Sequence, residues 1–484
     1  MKEACGVFAV YAPGQDVAHM TYDGIFALQH RGQESAGMAV SDGLAITVVK
    51  DTGLVASVFD DRTLYGLNGS LAIGHTRYST AGSQDWSSAQ PVYRTVGNHS
   101  FALAHNGNLT NTEALAEQVG ALPGIGLTDS DMLAELIARS YASDPHPERG
   151  LRDALLRALP HFEGAFSLTL LDEERIYAVR DPHGFRPLCI GRFGSDEAPT
   201  GWVFASESPA LDVVGATFVR DIDPGEIVTV GPEGISSERY VEAGEVDTNL
   251  CIFEFVYFAR PDTRLRGKEV HGARRRMGEL LALQAPVQAD MVMGVPDSGV
   301  PAAEGFALAS GTPYGQGLVK NRYIGRTFID PDQRSREKGV KRKLNPLREN
   351  IKGKRLVVVD DSIVRGTTTR ALVKMLREAG ASEVHLRISS PPFKWPCFYG
   401  IDTPNRSELL AATHSIEEIT GYLGCDSIAY ISLENLVEAI GVERGFCDAC
   451  LSGNYPTPVL VKPPMVRKGE NEVTEDLQPA LPGV

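Results

Sequence analysis

The chain has 484 residues, 43% of them hydrophobic and 23% charged, and carries a net charge of −15. That composition is ordinary for a globular protein of two or three domains, and the acidic balance argues against nucleic acid as the main partner. No apolar run approaches the roughly 20 residues of a membrane helix, the residues before Cys5 are too short and polar for a secretory signal, and seven cysteines without disulfide-scaffold spacing point to the cytoplasm.

To about residue 245 the chain is rich in short β-type segments broken by Gly and Pro. They include Gly6–Tyr11, Leu71–Gly74, Ser100–Ala104, Ser167–Leu171, Ile176–Ala178 and Trp202–Ala205. Helical patterns at Asp131–Ala142 and Leu151–Leu159 lie between them, so a layered α/β domain with largely antiparallel sheets is expected. Cys5 stands immediately before the first strand. If the four residues ahead of it were removed, an α-amine titrating near roughly 7.7–8.0 would sit beside its thiol, a usable base for a nucleophile. A lone cysteine near a chain end is more often inert.

The segments that follow change that balance: LQHRGQESAG (28–37), GHTRYSTAG (74–82), AHNGNL (104–109) and TDSD (128–131). Together with Cys5 they resemble the glutamine amidotransferases of the N-terminal-nucleophile class. Thiolate attack on an amide develops an oxyanion that needs preorganised donors. The resemblance supplies the Asn106 side chain and the Gly107 N–H. It assigns Arg77 and Asp131 to the carboxylate and ammonium of glutamine, and groups Arg31 with the glutamine pocket, as a support alongside His105. Asp131 also reads as a helix-start carboxylate; the two roles are compatible. RDPHGFRPL, ASESPAL and DIDPGEI close the domain without separate chemistry, and Cys189 reads as core.

A polar, acidic stretch near residue 245 marks a boundary, after which strands and helices alternate. Met291–Val295 precedes a helix at about 301–309, Leu356–Asp360 precedes Thr368–Ala379, and Glu383–Ile388 follows, the pattern of a doubly wound parallel sheet. In LVVVDDSIVRGTTTR (356–370) a buried strand ends on two adjacent carboxylates, then a small-residue turn opens a helix. Free N–H groups and the helix dipole make that turn an anion cradle, and the acid pair suits ribose hydroxyls or Mg²⁺. This stretch resembles the phosphoribosylpyrophosphate (PRPP) fingerprint of type I phosphoribosyltransferases. The resemblance implies PRPP contacts at Asp360, Asp361, Ser362, Arg365, Gly366, Thr367 and Thr368, with Ser298 of GVPDSGVPAA (294–303) joining the two aspartates at Mg²⁺.

Residues 320–343 hold nine Lys/Arg against three Asp/Glu. A solvated loop or a nucleic-acid patch is open to such a run, but sparse aromatics and acidic flanks disfavour the second. The preferred reading is a lid over PRPP carrying Lys320, Arg322 and Lys338. Cys447 and Cys450 form a Cys-x-x-Cys pair, ambiguous between zinc, redox and cluster chemistry. With Cys251 and Cys397 they match the positions of the cluster-containing amidophosphoribosyltransferases, which implies a [4Fe–4S] centre, with structural Zn²⁺ as the alternative. Cys425 is given no role, and the Pro- and Glu-rich tail reads as disordered.

The resemblance to the amidophosphoribosyltransferases covers about residues 5–462. It implies an αββα N-terminal-nucleophile sandwich over 5–245 and a type I phosphoribosyltransferase sheet over 246–462, with 1–4 a propeptide and 463–484 a tail. It further implies glutamine and PRPP as substrates, purine nucleotides as inhibitors and a homotetramer. Another amidotransferase of the same class lacks a use for the PRPP turn. A non-catalytic nucleotide-sensing regulator leaves Cys5, Asn106 and Asp131 unexplained.

Overall fold

The computed structural model describes residues 5–78, 86–120, 127–143, 150–321, 342–401, 403 and 405–459. Its N-terminal half is two antiparallel sheets packed face to face. The first orders its strands Thr217–Asp221, Cys189–Gly194, Pro199–Ala205, Gly6–Tyr11, Leu71–Arg77, Ser35–Ser41 and Ile46–Thr52; the second runs Gly234–Arg239, Glu226–Gly231, Ile176–Arg180, Gly164–Leu171, His99–Leu109 and Val92–Val96.

Strand alternation sorts the side chains into layers. Val7 and Ala9 turn inward with Ile73 to meet Ala102, Ala104 and Val228 of the second sheet. Phe8 and Val10, one residue out of phase, meet Ile25 of the helix Val17–Ala27. Across the second sheet, Phe101 and Leu103 meet Leu133 and Ile137 of the helix Asp129–Ala142 and Leu155 of Gly150–Ala158. The result is helix, sheet, sheet, helix.

The second half is built on four parallel strands in the order Met291–Gly294, Arg355–Asp360, Glu383–Ile388 and Ser427–Tyr430. Val357 and Val359 face helices Val270–Gln284 and Val300–Ser310. Leu356 and Val358 face helices Thr367–Glu378 and Ile416–Leu423. A strand covered on both faces reads as an unbroken apolar run, which is how Leu356–Val359 appears in the sequence.

The last sandwich strand ends at Arg239, and the next strand, Leu250–Cys251, pairs in parallel with Phe446–Cys447. The two halves are joined by a buried ion cluster. Arg31 pairs with Glu207 and Glu254, and Arg186 with Glu254, with all four side chains fully buried. Among the described residues no helix is long and apolar enough to cross a membrane.

Candidate functional site

Cys5 lies at the mouth of the first sheet because its strand begins one residue later, beside the end of Leu71–Arg77. Its thiol donates to the Tyr78 carbonyl and accepts from the Tyr78 N–H, each at 3.5 Å. Its own carbonyl accepts from Arg31 Nε at 3.0 Å. Burial raises the thiol above its ordinary value, while the Tyr78 amide and the Arg77 and Arg31 charges pull it down and Asp129 pushes it up.

Asn106 stands on the strand His99–Leu109 of the facing sheet, fully buried, and among the described residues neither its amide nitrogen nor its oxygen has a partner. A buried primary amide left unpaired costs several kcal/mol unless a ligand completes it, so this is a waiting donor. At Gly107 the strands approach so closely that a Cβ would lie 2.0 Å from the Ala165 carbonyl oxygen; only glycine keeps this N–H on its present course. His105 is fixed by Ser130 Oγ at 3.1 Å and by its own N–H donating to Gln90 Oε1 at 2.7 Å. The buried His75 ring donates to the His105 carbonyl at 3.0 Å, and burial lowers its pKa to about 3.

Three side chains expected around glutamine occupy different stations. Arg77 is buried near the thiol and forms no ion pair among the described residues. Arg31 is also buried, but its terminal nitrogens are taken by Glu207 and Glu254, so it grips the backbone of Cys5 rather than presenting a free cation. Asp131 is the third residue of its helix and closes a capping box. One oxygen accepts from the Thr128 N–H at 3.2 Å and the Thr128 hydroxyl at 2.8 Å, and the other from Arg94 Nη2 at 3.4 Å. The carboxylate whose charge reaches Cys5 is Asp129, two residues earlier, beside His105 at 3.7 Å. Asp129 is not among the residues singled out in the sequence; one of its oxygens accepts from the Ser130 N–H at 2.8 Å and the other from the Leu109 N–H at 3.4 Å.

In the second half, strands Met291–Gly294 and Arg355–Asp360 end side by side and aim their turns at one place. Ser298 and Ser362 hydroxyls both donate to the Asp361 carboxylate. Burial and the adjacent Asp361 push the Asp360 carboxyl well above its ordinary range, a repulsion that a cation or sugar hydroxyls would relieve. Gly366 takes a left-handed φ of 72° as the N-cap of Thr367–Glu378, and no side chain caps that helix, leaving its first N–H groups to a ligand. Arg365 is turned outward, Nε donating to Glu408 at 2.7 Å. Lys320 pairs with Asp297 of the other turn; Arg322 and Lys338, and with them most of the expected lid, lie outside the described residues.

Cys251 and Cys447 face each other across the two-residue parallel ladder. Cys450 joins through its carbonyl, which accepts from the N–H groups of Lys394 and Trp395, each at 3.0 Å, bringing in the Cys397 segment. All four thiols are free. Burial pushes Cys251 up to about 12, and burial with mutual thiolate repulsion pushes Cys447 and Cys450 well up, Cys450 feeling the other three. Among the described residues no three His, Cys, Asp or Glu side chains stand in a ready metal-holding arrangement. The donor chemistry nevertheless suits a thiophilic metal: Cys251, Cys447 and Cys450 are buried, Cys397 is half-buried, and the charges of the other three all act on Cys450. Cys189 is buried and donates to the Ala205 carbonyl at 3.3 Å, a core residue as expected.

Residues 75–213 match the glutamine amidotransferase domain and residues 268–389 the phosphoribosyl transferase domain. The chain is 52% identical over 469 residues to the amidophosphoribosyltransferase of Mycobacterium tuberculosis, covering 94% of this chain and 86% of that one. It is 45% identical over 467 residues to that of Bacillus subtilis, covering 95% of each. Among solved structures it is similar to the B. subtilis glutamine PRPP amidotransferase complexed with ADP and GMP, with a TM-score of 0.85 and 44% identity over 94% of this chain and 98% of that one.

Proposed function

The chain belongs to the amidophosphoribosyltransferase family, and from that premise we propose how its residues divide the reaction. The protein is a glutamine amidotransferase and glycosyltransferase of purine biosynthesis. Glutamine gives up its amide nitrogen as ammonia, and ammonia displaces pyrophosphate from C1 of PRPP to form 5-phosphoribosylamine.

In this reading Cys5 is the nucleophile. Removal of residues 1–4, which lie outside the described residues, gives it an α-amine as its base. The thiolate attacks the glutamine amide carbon, ammonia leaves, and water then releases glutamate from the thioester. The unpartnered amide of Asn106 is the single observation that carries the assignment, because a fully buried amide without a partner among the described residues, on the sheet packed against the Cys5 strand, is what an oxyanion would complete. The Gly107 N–H is the second donor. Arg77 takes the glutamine carboxylate. For the ammonium, Asp131 is the residue that the sequence assigns and Asp129, whose charge reaches Cys5, is the competing candidate; both also accept hydrogen bonds at their own helix start, Asp131 from Thr128 and Asp129 from the Ser130 N–H.

Residues 246–462 form the transferase domain in this reading. Thr367, Thr368 and the free helix start receive the phosphate, Ser362 and Gly366 shape the turn, and the Asp360–Asp361 pair meets the ribose hydroxyls. Asp360, Asp361 and Ser298 would hold Mg²⁺, which when bound neutralises the pyrophosphate leaving group. Arg365 and Lys320 stand at the rim as cations for the same phosphates. Cys251, Cys397, Cys447 and Cys450 would hold a [4Fe–4S] centre, whose service here is to knit the domain's two ends. Ammonia passes internally between the sites. The protein is cytoplasmic and homotetrameric in this reading, with purine nucleotides as inhibitors; support for the last comes from the ADP and GMP held by the B. subtilis relative. The test is release of pyrophosphate and glutamate, dependent on both PRPP and glutamine, from protein purified without air; no release would overturn it.

A further inference from the structure

Glu254 belongs to the transferase half, three residues after Cys251, yet its carboxylate reaches into the glutaminase half. Arg31 Nη1 and Nη2 donate to its two oxygens at 3.0 and 2.8 Å. The third donor of the same guanidinium, Nε, holds the carbonyl of Cys5 at 3.0 Å. A guanidinium is a rigid plane, so fixing one edge on Glu254 fixes the direction of the other edge on the nucleophile's backbone. Glu207, which completes the cluster, is itself held from the transferase half. Its carboxylate accepts from the Arg260 N–H at 2.9 Å and the Thr263 hydroxyl at 2.6 Å. Arg186 Nη1 donates to Glu254 at 3.3 Å, while its Nε and Nη2 donate to the Tyr399 carbonyl at 3.0 and 2.7 Å.

The segment bearing Glu254 is also tied towards the PRPP turn. Arg274, buried in the helix Val270–Gln284, donates to the carbonyls of Phe255 and Ala259, each at 2.8 Å. The carboxylates of Asp361, Glu207 and Glu254 all act on its charge. One buried guanidinium therefore stands between the acid pair of one site and the residue that aims the nucleophile of the other.

We propose that Glu254 is a positioning residue of glutamine hydrolysis, supplied by the transferase half: acting through Arg31, it sets the Cys5 backbone so that the thiol is aimed only when the two halves are docked. This rests on the reading of Cys5 as the nucleophile. A buried carboxylate with two arginine partners is otherwise weak evidence of stability, since burial of the charges offsets most of their attraction; its retention is explained by what it orients.

The test compares Glu254→Gln with wild type for glutamine-dependent and ammonia-dependent synthesis, and for the rate at which iodoacetamide alkylates Cys5. The expected result is a glutamine-dependent kcat at least tenfold lower, with the glutamine KM within about threefold. Ammonia-dependent synthesis should stay within about twofold, and Cys5 alkylation should change at least fivefold. Unchanged glutamine-dependent kcat overturns the proposal, as does parallel loss of both activities in folded protein, which is the mark of a merely structural residue. If Glu254→Gln does not fold, Glu254→Asp takes its place with the same outcomes, keeping the charge but withdrawing it by one methylene. Cys5→Ala serves as the separate control. If it retains glutamine-dependent synthesis, the nucleophile assignment has failed rather than the role of Glu254.

Discussion

The hydroxyl of Ser298 donates to the carboxylate of Asp361, so the turn after Met291–Gly294 and the turn after Arg355–Asp360 are latched to each other. The two strand ends meet at the carboxyl edge of the parallel sheet, where such folds bind ligands. Asp361→Ala removes one carboxylate of the proposed PRPP pair and breaks the latch. Synthesis from glutamine and from free ammonia should both fall at least a hundredfold, while basal glutamine hydrolysis survives. Undiminished ammonia-dependent synthesis would show that this is not the PRPP site.

Cys5→Ala should abolish glutamine-dependent synthesis and leave the ammonia-dependent reaction within about twofold, because the transferase site lies on another sheet. Active protein should begin at Cys5 by intact-mass measurement. Full glutamine-dependent activity in protein that keeps residues 1–4 would refute the α-amine as base and require another group in that role.

Variants of Asp129 and Asp131 test which of two acids within one helical turn serves the glutamine ammonium. Asp129→Asn should lower kcat/KM for glutamine by about ten- to a hundredfold, the worth of one hydrogen bond to a charged group at about 1.5–3 kcal/mol. Asp131→Asn should cost about 1 kcal/mol of stability through the weakened cap and leave kcat/KM within a few-fold. Steady-state kinetics paired with denaturant melts decides it, and the reverse pattern would restore Asp131 to the ammonium.

The buried ring of His75, lowered to about 3, gives a stability profile with a definite sign. An unfolded histidine takes up its proton near 6.5, so between about pH 6.5 and 3 the unfolded chain binds the extra proton and stability falls as pH falls. The slope from this group alone approaches about 1.4 kcal/mol per pH unit. Glu207 adds to it from lower pH: its depressed carboxyl pKa contributes stability above the ordinary carboxylate range that is lost on acidification. His75→Gln, which retains a donor for the His105 carbonyl, should flatten the melting curve against pH between 6.5 and 5. An unchanged slope would place the acid sensitivity elsewhere.

Protein prepared without air should be brown and hold about four irons with matching sulfide per chain, as four cysteines imply. Cys447→Ser should give little soluble protein, since metal binding at such a site is folding energy. One zinc and no iron in anaerobic material would replace the cluster by a structural zinc.

The sheets were largely legible because their strands are short apolar runs cut by Gly and Pro. Glu383–Ile388 was read to the residue, and Leu71–Arg77 only to Gly74, because polar His75, Thr76 and Arg77 continue the strand into the site. Asn106 and the Asp360–Asp361 pair stand out in the sequence by motif chemistry, and the structure places them at a buried strand position and at a strand end. Glu207, Glu254 and Arg186 were not, since each looks like an ordinary surface charge until partners more than sixty residues away in sequence close around it. Asp129 does not stand out in the sequence, because T-x-x-D offers two acids within one turn and only the structure shows which one's charge reaches Cys5.

The parallel ladder that joins Cys251 to Cys447 has a consequence for how the chain is made. Every strand of the glutaminase sandwich is complete by Arg239, so that half can close while the rest is still being synthesised. The segment Leu250–Cys251 can dock early on the first half, through the Cys251 N–H on the Phe185 carbonyl, but its ladder is completed only when Phe446–Cys447 emerges at the far end of the sequence. A chain that stops before Glu254 leaves the buried Arg31 and Arg186 of the first half without that carboxylate, and one that stops before Phe446 leaves Cys251 without its ladder partner. The ladder therefore ties the first strand of the second half to its last, and cannot form before synthesis is nearly complete.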